Sequence, residues 1–147
     1  VASVPGGTGV LVLAGTDIEV RDNTISGHKS TGVLVVSYRI FELLTGTTLD
    51  DPDMDPYLKR VYVHGNTYSG NGSDPQGGLK VIGMATLENV LWDGILNEAG
   101  DSAEVCLGAN ETSFRNFNAN GDFQNQLTDP GAHACTHPAL PEMETFE

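Results

Sequence analysis

Four carboxylates fall within six residues, at Asp50, Asp51, Asp53 and Asp55. Hard cations such as Ca²⁺ take several oxygen ligands from a flexible loop, and Asp51-x-Asp53-x-Asp55 imitates the opening of a calcium loop. Pro56 stands where that motif needs Gly, and Tyr62 where it needs Glu. The run reads either as a Ca²⁺ site or as a solvated acidic loop stiffened by proline. In His133-Ala134-Cys135-Thr136-His137 two imidazoles surround one thiol, a partial ligand set for zinc or copper. A disulfide at Cys135 would remove it. Tyr38, Tyr57, Tyr62, Tyr68 and Trp92 supply flat rings that can stack on sugar faces as a platform; the alternative is partial burial beneath an insert. Cys106 and Cys135 are the two cysteines of the chain. An even count in an acidic, Lys-poor chain points to one disulfide and an oxidising compartment, secreted or periplasmic, against two buried thiols. No Ser-His-Asp order, Gly-rich phosphate loop or Cys-x-x-Cys motif occurs, so no catalytic residue is assigned.

The elements that must position these groups follow from the wider sequence. Its 147 residues make one domain's worth of chain. Seven basic against 20 acidic residues give a net charge of −13. Clustered Lys and Arg for phosphate contacts are missing, which argues against nucleic acid and against docking on anionic membranes. No apolar run approaches the roughly 20 residues of a membrane-spanning helix. Eighteen glycines, with many Asn and Thr, describe a turn-rich β protein.

Internal repetition is visible. Thr8-Gly9-Val10-Leu11-Val12-Leu13 is echoed by Thr31-Gly32-Val33-Leu34-Val35-Val36, with a weaker third copy in Gly77-Gly78-Leu79-Lys80-Val81-Ile82. A second unit, Ile18-Glu19-Val20-Arg21-Asp22-Asn23-Thr24-Ile25-Ser26-Gly27, matches the ten residues from Val61 to Gly70, and Val90–Ile95 is its degraded third copy. Each piece is a short strand, apolar at every second position and punctuated by Gly or Asn. The period is too short for a βαβ unit. It suits one coil of a parallel β-helix, in which inward Val, Leu and Ile stack between coils. Asn23 and Asn66 would share a corner as a hydrogen-bonded asparagine ladder; each alone is an ordinary turn residue.

These Gly-Val-x-Val and Asn-Thr-x-Ser-Gly units resemble right-handed parallel β-helix repeats. More narrowly they resemble a bacterial family of exported β-helix-repeat proteins, over roughly residues 8 to 97. The resemblance implies a fold and an exported location but no reaction, since this architecture serves lyases, epimerases, adhesins and scaffolds alike. Ser26-Gly27-His28-Lys29-Ser30 is only partly similar to the Gly-His-Gly of β-helix polygalacturonases, and it lacks the second Gly and paired acids.

The expectation is an all-β right-handed parallel β-helix of about three coils over residues 1–121, with an insert at about 39–59. A tail, 122–147, is pinned to the last coil by Cys106–Cys135. The leading functional expectation is a secreted, non-catalytic binding or scaffolding segment for a glycan or protein partner. One alternative is the C-terminal part of a carbohydrate-active lyase, epimerase or hydrolase. Another is self-assembly: the chain begins almost directly on a repeat strand, and that open end could meet preceding coils, a partner or a second copy.

Overall fold

The computed structural model describes residues 4–48 and 50–142. The first three residues of the expected helix, Leu49 of the expected insert and residues 143–147 of the expected tail lie outside that range. The architecture is all-β with parallel sheets and few helices. In chain order the strands are β1 (Thr8–Leu13), β2 (Gly15–Arg21), β3 (Thr24–Ser26), β4 (Thr31–Val36), β5 (Leu58–His64), β6 (Thr67–Ser69), β7 (Val90–Trp92), β8 (Val105–Leu107) and β9 (Phe114–Asn116). Two short helices intervene, α1 (Arg39–Thr45) and α2 (Gly77–Lys80), and a 3₁₀ turn spans Pro130–His133.

The strands form three parallel sheets, ordered β1-β4-β7-β9, β2-β5-β8 and β3-β6. The chain adds one strand to each sheet in turn. The register follows the repeats: Thr8 pairs with Thr31 and Val10 with Val33, while Ile18 pairs with Val61 and Thr24 with Thr67. Alternate residues on each strand point to one shared interior. There Val12, Val20, Ile25, Val33, Val61, Val90, Val105 and Phe114 form a single apolar cluster drawn from all three sheets. Like residues stacked at strand spacing explain why the Val and Ile positions recur.

Two expected repeat copies are corrected. Gly77–Lys80 is the helix α2, not a strand. Glycine lacks the β-branch that favours an extended chain, and the segment instead lays Leu79 over the outer side of the first sheet. Val90–Trp92 belongs to the first sheet, where Val33 pairs with Val90, and the strand that continues the second sheet is β8. The central strands of the first sheet, β4 and β7, are buried on both sides. Leu34, Val36 and Leu91 on its outer side pack with Leu79, Leu87 and Phe117 in a second cluster.

In the second sheet Asp17, Arg60 and Glu104 each adopt a left-handed backbone, with φ of 56°, 53° and 51°. Each stands one residue before the stacked Ile18, Val61 and Val105. The shared bulge keeps the strands in step and stacks the charges in alternating sign. The Arg60 guanidinium holds both oxygens of Asp17, at 2.8 Å on Oδ2, and keeps that carboxyl below the usual carboxylate range.

Candidate functional site

The outer side of the β2-β5-β8 sheet gathers most of the chemistry. Strand alternation that turns Ile18, Val20, Val61 and Val63 inward turns Glu19, Arg21, Tyr62 and His64 outward. The register pairs Glu19 with Tyr62 and Arg21 with His64. His64 Nε2 lies 2.7 Å from Glu19 Oε1, and Arg21 Nε lies 3.5 Å from the same oxygen. The imidazole hydrogen bond, with a backbone N–H from Leu140 and the nearby Arg21 charge, holds the Glu19 carboxyl below its ordinary range. The Tyr62 ring stacks on the His64 ring at 3.9 Å between centroids.

The C-terminal segment crosses this surface as a strap. Cys106, outward on β8, is bonded to Cys135. His133 Nδ1–H donates to the Val105 carbonyl at 2.9 Å, and His137 Nε2–H donates to the Glu104 carbonyl at 2.6 Å. The strap thus holds Glu104 and the first two residues of the outermost strand, Glu104 and Val105 through their carbonyls. Leu127 makes a reciprocal pair of backbone bonds with Asn116, covering β9 in the same way. Both histidines are used as donors to carbonyls, and Cys135 is in a disulfide. The His-Cys-His segment therefore presents no metal ligand set, and among the described residues no three His, Cys, Asp or Glu side chains converge on a cation position.

Between the strap and the sheet lies an open recess of about 400 Å³. Tyr62 and Leu107 line its floor, the turn Gly108–Thr112 one wall, and Pro130 with Ala134–Thr136 the other. A smaller recess of about 210 Å³ sits where Pro138–Leu140 crosses Asp17, Glu19, Arg60 and Tyr62.

Asn23 and Asn66 occupy matching corners. Asn66 Oδ1 accepts from Asn23 N at 3.0 Å and from Asn23 Nδ2 at 3.1 Å. Asn66 in turn donates N and Nδ2 to Glu111 Oε1, at 3.2 and 3.1 Å, and Nδ2 also reaches the Val20 carbonyl. Glu111 is 1% exposed and also accepts from the Tyr68 hydroxyl, so burial and the neighbouring carboxylate push the phenol's pKa up.

The structure does not gather the five aromatic rings on one face. Trp92 belongs to the interior cluster, and Tyr68 packs against the same cluster. Both sit on inward positions of their strands, where apolar area is worth most buried. Tyr38 tilts against Phe41 at the start of α1, and Tyr57 lies under the Arg39 guanidinium. Only Tyr62 lies on the strapped surface. The acidic run also stays dispersed: Asp51 Oδ1 accepts from Asp53 N and Asp55 Oδ1 from Tyr57 N, at 3.0 Å each, so these carboxylates close local turns in an exposed loop. Sequence reasoning missed Glu19, Glu111 and Asp93. Glu111 carried a signal, since it follows Asn66 by nearly the same interval that separates Asn66 from Asn23.

Compared with known proteins, the chain matches no family model, no curated protein and no solved structure.

Proposed function

We propose that this chain is part of a secreted or periplasmic right-handed parallel β-helix that binds a glycan without transforming it. The fixed order in which the chain visits its three sheets, and the one interior those sheets share, support the β-helix reading. The disulfide is compatible with an oxidising location outside the cytoplasm. The observation that carries the binding reading is the recess of about 400 Å³ beside Tyr62. Its volume falls in the range of small-molecule sites, and its far wall is fixed to the sheet by a covalent bond. Its lining combines Tyr62 and small aliphatic residues with Glu111, Thr112 and Thr136, residue types suited to a sugar's apolar face and hydroxyl edge. A net charge of −13 makes neutral glycans better ligands than acidic ones.

Calorimetric titration with neutral oligosaccharides tests the reading. Binding should appear and weaken about tenfold in Tyr62→Ala, the worth of one ring contact. Affinity unchanged by Tyr62→Ala, or no heat with any neutral sugar, overturns it. Product formation from a bound oligosaccharide overturns the non-catalytic part alone. A protein partner is a second reading, favoured by a different surface on the first sheet.

A further inference from the structure

The outer side of the first sheet is not fully covered. Between α1 and α2 runs a groove of about 70 Å³, floored by Leu34 and Val36 of β4 and walled by Phe41, Leu44, Leu79 and Phe123. Every side chain lining it is apolar. Several of the exposed large apolar groups stand at its rim: Leu44 is 60% and Phe123 41% exposed, with Leu43, at 65%, next to Leu44 on α1 and Val81, at 82%, next to the lining residue Ile82. Such clustering marks an interaction surface more than scattered single residues do.

Charge selects the occupant. The loop leaving the end of α1 carries Asp50, Asp51, Asp53 and Asp55, all exposed. It returns to the start of α1, where Tyr38 N donates to the Pro56 carbonyl at 2.8 Å, so the acidic segment begins and ends at the two ends of the helix that forms one wall. Asp122 adjoins Phe123; the cations next to lining residues in the sequence are Lys80, after Leu79, and Arg39, before Ile40, whose guanidinium is held by Glu42. A second copy would bring the same acidic loop and a further −13 of charge. The cavity is less than half the roughly 150 Å³ that holds a benzene molecule, so it takes the end of one aliphatic side chain, not a cofactor. We propose that this groove docks a basic peptide segment of a partner protein, inserting one Leu-like side chain between α1 and α2 while flanking Lys or Arg residues face the acidic loop.

Fluorescence anisotropy with labelled peptides tests this on the full chain. A Leu-centred peptide flanked by lysines should bind; the same peptide with Ser at the centre, or with glutamates as flanks, should bind at least about tenfold more weakly. Leu44→Ser, whose side chain is already exposed, should weaken the lysine peptide by a similar factor. Asp51→Asn with Asp53→Asn should weaken it and flatten its salt dependence. Tyr62→Ala should leave it unchanged, which separates this surface from the proposed glycan recess. Equal binding of the Ser-centred peptide would reduce the effect to bulk charge and overturn the proposal. Equal binding of the glutamate-flanked peptide, no binding at all, or sedimentation showing that the groove is closed by a second copy would overturn it as well.

Discussion

Asp93 offers the sharpest test of the packing around β7. Its side chain is 0% exposed, directly after β7. Oδ2 accepts from Ser37 N at 2.7 Å and Oδ1 from Ile95 N at 2.9 Å, and no cation pairs with it among the described residues. Burial outweighs these two N–H groups and lifts its pKa to about 7, from an ordinary 3.8. The folded protein therefore keeps a proton that the unfolded chain has released, at every pH between those two values. Stability is full below the unfolded pKa and falls as pH rises toward the folded one. A gap of about three pH units corresponds to about 4 kcal/mol, of which about 3 should vanish between about pH 4.5 and 7.5. Asp93→Asn is neutral throughout and removes this slope. It keeps one acceptor oxygen for two N–H groups, so at the acid end it should be about 1–3 kcal/mol less stable than the parent. Urea unfolding of both proteins across that pH range, with the disulfide intact, gives the difference in slope and cancels titrations common to both. Parallel stability curves, or a gap that widens with pH, would refute the assignment.

Three further outcomes follow from the same structure. Asn66→Ala should cost about 3 kcal/mol in urea unfolding, because it takes a donor from the buried Val20 carbonyl and Glu111 carboxylate, whereas Asn23→Ala, at an exposed corner, should cost about 1 or less. Equal costs would mean that the buried bonds do not set the stability of that corner. Cys135→Ser should lower stability by about 3–4 kcal/mol, the chain-entropy value for a loop with a sequence separation of 29, and should speed proteolysis after Leu127; a loss under about 1 kcal/mol would show that the strap's hydrogen bonds suffice without it. Reduction of the native protein should also abolish oligosaccharide heat, since Cys135 lines the recess, and intact binding in the reduced protein would contradict the placement of that site.

The parts of the fold legible in the sequence are those in which stacking forces like residues to recur. Thr8 to Leu13 and Thr31 to Val36 repeat because each Val must meet a Val above it, and their alignment by eye is their pairing register. The same holds for Ile18–Ser26 against Val61–Ser69. The third set was obscure for a physical reason: β7, β8 and β9 are three residues each, too short to display alternation. Val90-Leu91-Trp92 is also buried on both sides, so its inward and outward positions look alike. Gly77–Ile82 keeps the β-branched pair Val81-Ile82, but Gly stands in the place of Thr31 and Leu in the place of Val33, so its opening lacks the β-branched residues that hold a strand extended. Of the candidate site, Tyr62 and the two cysteines were legible, but the aromatic set was not separable, because Trp92 and Tyr68 are chemically fit for either a surface or a core. Glu19 and His64 meet only through the register between strands 43 residues apart.

The row Asn23, Asn66, Glu111 has a direction. Each amide hands its N–H groups onward and receives from behind, as the links of a growing polymer do. Glu111 ends the series with a group that receives and has no N–H to hand on. A second copy set head to tail would bring the Asn23 carbonyl oxygen up to this carboxylate, acceptor against acceptor, and Asp17 up to Glu104 in the same layer. The two ends of the row are thus chemically unequal, with an amide at one and a carboxylate at the other. Glu111→Asn would place a donor where the row now ends in acceptors alone.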